Sequence, residues 1–96
     1  MSYTVVVRAA AQAEAADAYS WYEERSIGLG ARFADAAQAC LHQLARNPKL
    51  QKRQGEFRHA MVEKFPYRIV FVIDGPTVFV YRIRHTSRRS SKRFGP

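Results

Sequence analysis

Residues 57–85 constrain the fold more than any other part of the chain. They read as three strands joined by one tight hairpin and followed by a run of cations. Val70, Val72, Val78 and Val80 are β-branched, and Phe71, Phe79 and Tyr81 are aromatic, a composition suited to a pleated, half-buried surface. Asp74-Gly75-Pro76 marks the hairpin, because glycine admits positive φ and proline stiffens the turn. A sheet with an apolar side must be covered, and most of the cover has to come from residues 1–56.

That segment supplies it. Tyr3 to Arg8 alternates as a short strand, with Tyr3, Val5 and Val7 on one face. The alanine-rich stretch that follows predicts a helix over 10–25, with Ala11, Ala15, Ala18 and Tyr22 as its apolar stripe. Ser26-Ile27-Gly28-Leu29-Gly30 breaks it. A second helix is expected over 29–46, where Leu29, Phe33, Ala36, Ala37, Cys40, Leu41 and Leu44 recur at intervals of three and four; Asn47-Pro48 stops it. Residues 49–56, polar and basic, read as a loop, 57–62 as the second strand, and Lys64-Phe65-Pro66-Tyr67 as the link to the third. The expected order is β-α-α-β-β-β. This is an α+β fold, a small and mainly antiparallel sheet covered on one face by an antiparallel helical hairpin. The first strand reaches the sheet by a long excursion and is expected to pair in parallel with a later one. Residues 1–96 form one domain on this reading, with a basic, flexible tail from about 86.

Charge is strongly polarised. Residues 1–48 carry four cations (Arg8, Arg25, Arg32, Arg46) against five acids (Glu14, Asp17, Glu23, Glu24, Asp35), and residues 49–96 carry twelve cations against three acids, for a total of +8. Such an imbalance predicts a polyanionic partner. A single cysteine, Cys40, falls at an apolar helix position and reads as a core thiol in a reducing compartment. One cysteine and three scattered histidines (His42, His59, His85) do not make a zinc site, so neither metal nor cofactor is expected. No apolar run reaches the ~20 residues that span a bilayer, and no secretory signal is apparent, so a cytoplasmic protein without membrane contact is expected.

Several short motifs resemble the RelE/ParE superfamily of toxins from bacterial type II toxin–antitoxin systems. They are Trp21-Tyr22-Glu23-Glu24, then Gly28-Leu29-Gly30 with Phe33, Asn47-Pro48, Phe65-Pro66-Tyr67-Arg68-Ile69-Val70-Phe71, and His85 with Arg88. The resemblance spans roughly residues 3 to 90 and implies the same β-α-α-β-β-β core. It also implies neutralisation by a cognate antitoxin, for which an acidic, amphipathic segment is expected, in a toxin–antitoxin hetero-oligomer. Some members of the superfamily cleave mRNA on the ribosome and others poison DNA gyrase by binding; the latter kind is associated with plasmid stabilization. Trp21-Tyr22 and Phe65-Pro66-Tyr67 look more like the ParE, gyrase-directed side.

Each activity implies its own residues. A metal-independent endoribonuclease needs a cation at the phosphate and an acid or base near neutrality. Arg68, Arg84 and His85 are the candidates, with Arg58 in support. Against that activity, the mRNA-cutting members tend to carry a tyrosine near the C-terminus, where this tail offers Phe94. A gyrase inhibitor would use Arg58, Arg68, Arg82, Arg84, His85, Arg88 and Arg89 to bind target or antitoxin. A plain nucleic-acid-binding module is the third alternative; it explains the charge but finds no basic helical stripe. Along β5 the period of two puts Arg82 and Arg84 on the side of Val78 and Val80, so one of them is expected to hold a structural anion. Arg8 is expected to form an ion pair across the sheet, and Glu23 and Glu24 to be ordinary helix-end charges.

Overall fold

The structure is a computed structural model that describes residues 2–50 and 52–87. Its elements are β1 (Thr4–Val7), α1 (Ala9–Arg25), α2 (Leu29–Arg46), a 3-10 turn (Pro48–Leu50), β2 (Lys52–Gln54), β3 (Phe57–Met61), β4 (Tyr67–Asp74) and β5 (Thr77–His85). The sheet runs β1-β5-β4-β3-β2. β1 lies parallel to β5, as the long connection requires, and every other pairing is antiparallel. The expected core of β-α-α-β-β-β is therefore present. Residues 49–56 differ from the loop reading: β2 pairs with β3 in a short hairpin at the edge of the sheet. Lys and Arg on so short a strand hide the signal, and charged residues are common on sheet edges.

The helical hairpin covers one side of the sheet. Side chains opposite one another across a ladder share a face, so the buried Ile69, Phe71, Val78, Val80 and Ala60 mark that covered side. Against them pack Ala11 and Ala18 of α1 and Phe33, Ala37 and Leu44 of α2. Tyr22 and Phe33 meet Phe65 and Tyr67 of the β3–β4 turn, with ring centroids 5.0–6.1 Å apart. Phe65-Pro66-Tyr67 thus closes one end of the core with aromatic edges and faces. Cys40 is half-buried, its thiol 3.7 Å from the carbonyl of Met61, and burial raises its pKa.

The joint between the helices rests on Glu23. Its carboxylate accepts the N–H of Gly28 at 2.9 Å through Oε2 and that of Gly30 at 3.0 Å through Oε1. Gly28 has no side chain with which to cap α2, and Glu23 supplies the missing acceptor and a negative charge at the positive end of the helix. Glu23 is therefore no ordinary surface charge. Gly30 lets the helices touch: a Cβ there would lie 2.7 Å from the backbone oxygen of Tyr19. Because that neighbour is backbone, Gly30→Ala is expected to lower stability by ~1–3 kcal/mol, read as a lower urea midpoint with an unchanged m-value.

Candidate functional site

The β4–β5 ladder carries one irregularity. Phe71 pairs with Val80, but Val70 pairs with Arg82, so Tyr81 is an extra residue. The bulge shifts the alternation of β5, and Ile83, not Arg82 or Arg84, falls on the covered side. Ile83 accordingly is 3% exposed and joins the core.

β5 also outruns its neighbour. β1 stops at Val7, opposite Val80, and the N–H of Arg8 closes that ladder on the Val80 carbonyl at 3.0 Å. Past this point α1 brings Glu14 to the edge of β5. Its Oε1 accepts the N–H of Ile83 at 2.8 Å, in the place a strand carbonyl would take. The same carboxylate grips Arg82 in a two-pronged pair, Nε to Oε1 at 3.0 Å and Nη2 to Oε2 at 2.7 Å. Arg82 thus finds the anion expected of it, and the hydrogen bonds it donates to Glu14 raise its pKa above the ordinary value.

Next to this clamp a cleft of about 390 Å³ opens between α1 and the end of β5. Asp17 and Trp21 line the helix wall, and Tyr67, Arg84 and His85 line the sheet wall. His85 stands edge-on to Tyr67 with centroids 5.2 Å apart. Its Nδ1 accepts the backbone N–H of Ser87 at 3.1 Å and lies 2.6 Å from the Ser87 hydroxyl. An acceptor Nδ1 places the proton of the neutral ring on Nε2.

Among the described residues, no helix lies over the other side of the sheet. Arg68 faces Arg84 across the β4–β5 ladder, and Met61 faces Arg68 across β3–β4. Tyr81 lies against Phe57, centroids 5.7 Å apart, and takes the Arg8 guanidinium over its ring at 5.0 Å. The ion pair expected of Arg8 is replaced by this cation–π contact. Val6, Met61 and Tyr81 leave this side apolar between the cations, at 40%, 58% and 36% exposure. His59, opposite Val70, has a pKa lowered first by burial and then by the nearby Arg68 charge.

The cations singled out in the sequence therefore divide among separate places. Arg68 and Arg84 face each other on the uncovered side, and Arg84 also lines the cleft. Arg58, opposite Phe71, belongs to the covered side at the β3 edge and donates to the Lys49 carbonyl at 3.2 Å. Arg82 is held at the β5 edge by Glu14, and His85 lies in the cleft. Arg88 and Arg89 lie outside the described residues. Glu14 and Asp17 did not stand out in the sequence, although their spacing to Trp21 (i, i+3, i+7) puts all three on one stripe of α1. Among the described residues no group of three His, Cys, Asp or Glu side chains could hold a metal ion, and no helix is long and apolar enough to cross a membrane.

A family model described as the ParE toxin of the type II toxin–antitoxin system parDE matches residues 5–90. No curated protein matches by sequence. Among solved structures, a chain of the chromosomal ParDE TA system from P. aeruginosa superposes with a TM-score of 0.76 at 15% identity, over 88% of this chain and 97% of that one. That likeness shows a shared fold.

Two measurements check this geometry. Glu14→Ala removes the clamp and is expected to cost about 2 kcal/mol, whereas Glu14→Gln, which keeps an acceptor for Ile83, should cost visibly less in denaturant melts. His59 binds a proton more weakly folded than unfolded, so stability should be full above the unfolded pKa of about 6.5 and fall as pH drops through it. His59→Gln should flatten that dependence.

Proposed function

The chain belongs to the ParE toxin family, and from that membership we propose that it is a toxin that inhibits DNA gyrase by binding and is neutralised by a cognate antitoxin. The observation that carries this reading is the uncovered side of the sheet, where Arg68 and Arg84 face each other beside exposed Val6, Met61 and Tyr81. Two guanidinium groups directly opposite across a ladder attract anionic groups, which they can bind through charge-assisted hydrogen bonds. A surface of that kind suits gyrase with its bound DNA. It also suits an acidic, amphipathic antitoxin segment, whose apolar side chains would cover Met61 and Tyr81 and whose acids would reach the arginines. Toxin and antitoxin would then form a hetero-oligomer, and both would act in the cytoplasm.

Binding is favoured over bond cleavage because the residues suited to catalysis do not all meet. Arg84 and His85 both line the cleft, while Arg68 is not among its lining residues and faces Arg84 across the ladder. A ribosome-dependent endonuclease would need the cation at the phosphate and the proton donor at the leaving oxygen together.

Replacing Arg68 and Arg84 together by alanine is expected to abolish growth arrest while leaving the thermal midpoint within a few degrees of the parent. The same cells report the target. Expression of the parent without its antitoxin should produce gyrase-linked DNA breaks. Codon-position mRNA cuts without breaks would instead identify a nuclease, and a double variant as toxic as the parent would exclude this face as the active one.

A further inference from the structure

The cleft between α1 and the end of β5 contains groups that gyrase binding by the uncovered face leaves unused. We propose that it is a pocket for a guanine base, presented either by a free guanine nucleotide or by an unpaired guanine in single-stranded nucleic acid. The inference does not depend on which target the toxin binds, because it is carried by Asp17, Trp21 and His85, although Arg84 lines this cleft as well as facing Arg68.

Its volume of about 390 Å³ lies in the range of small-molecule sites. Two acids, Glu14 and Asp17, line it beside Arg82 and Arg84, and the acids are unequal in what they have left to offer. The Glu14 carboxylate is spent on Arg82 and on the N–H of Ile83. Asp17, one turn further along the same face of α1, makes no hydrogen bond or ion pair among the described residues. A carboxylate presents two acceptors side by side. Guanine presents two adjacent donors on its pairing edge, the ring N1–H and the 2-amino group, and the other bases have no such pair. Adenine and cytosine offer one exocyclic amino group beside an acceptor, and uracil and thymine offer a single ring N–H.

The rest of the cleft complements that edge. His85 carries its proton on Nε2, because Nδ1 accepts from the Ser87 backbone, so the cleft also holds a donor to match the guanine O6 or N7. Trp21 is 48% exposed on the cleft wall, and Arg25 lies over its ring at 3.5 Å, which steadies the indole as a stacking surface. An acid at position 17 repels a phosphate and suits the base edge, while the phosphate is attracted by the Arg84 guanidinium that lines the same cleft and by the net charge of +8.

The chain has a single tryptophan, and it lines this cleft, so its fluorescence reads the site directly. The full chain is titrated with GMP, dGMP, AMP and CMP, and with two short single-stranded oligonucleotides that differ only by guanine or adenine at one position. Saturable quenching by GMP and dGMP, at least tenfold tighter than by AMP or CMP, is the expected result. Asp17→Asn, a change at an exposed position, should weaken GMP at least tenfold without altering the circular dichroism. Tighter binding of the guanine oligonucleotide than of its adenine twin assigns the pocket to nucleic acid, and GMP binding without that difference assigns it to free nucleotide. Equal responses to all nucleotides, no saturable response, or an unchanged GMP affinity in Asp17→Asn would each overturn the proposal. So would a response to arginine methyl ester in place of GMP, which would mark a socket for a basic side chain.

Discussion

Past Val80 the ladder between β4 and β5 skips Tyr81, and that extra residue decides what lies on each side of the sheet. Without it, Arg82 and Arg84 would point into the helices, where a buried cation costs several kcal/mol unless paired. With it, Ile83 fills the core, and Arg84 turns to the uncovered side opposite Arg68. Arg82, at the bulge itself, reaches the edge of the strand and meets Glu14. A bulge needs something to stabilise the strand beyond it, and the Glu14 carboxylate does so by accepting the Ile83 N–H where β1 has already ended. A cationic surface and a mixed cleft that share Arg84 follow from this local geometry.

Two glutamates of α1 do similar work. Glu14 stands in for a strand at the edge of β5, and Glu23 stands in for a capping side chain at the start of α2. In each case a carboxylate satisfies backbone N–H groups that the local element cannot satisfy itself. The first half of the chain is slightly acidic and the second strongly basic. Part of that polarisation is consumed inside the fold by Arg82. The uncovered side presents Arg68, Arg84 and Arg8 over Tyr81, set in an apolar surround. Apolar area and fixed positive charge on one face together select an amphipathic acidic partner more sharply than charge alone.

The helices and long strands were legible because their signals are local. The three-four spacing from Leu29 to Leu44 and the halt at Asn47-Pro48 predict α2, and the structure places it at Leu29–Arg46. β2 was not legible, since Lys52–Gln54 carries no apolar alternation and exists by pairing with β3. The clamp was half legible: the need of an arginine on β5 for an anion could be read, while the identity of its partner, 68 residues away in sequence, could not.

From its order of residues alone, the chain determined two amphipathic helices, a Gly75 hairpin, a basic second half and the motifs of a toxin family, because each depends on neighbours within a turn or two. The tertiary structure decided which cations share a surface. That outcome depends on the bulge at Tyr81, on β1 ending at Val7 and on Glu14 arriving from α1. A one-residue change of register exchanges the two faces of a strand, and nothing in the local spacing of β5 marks where that change falls.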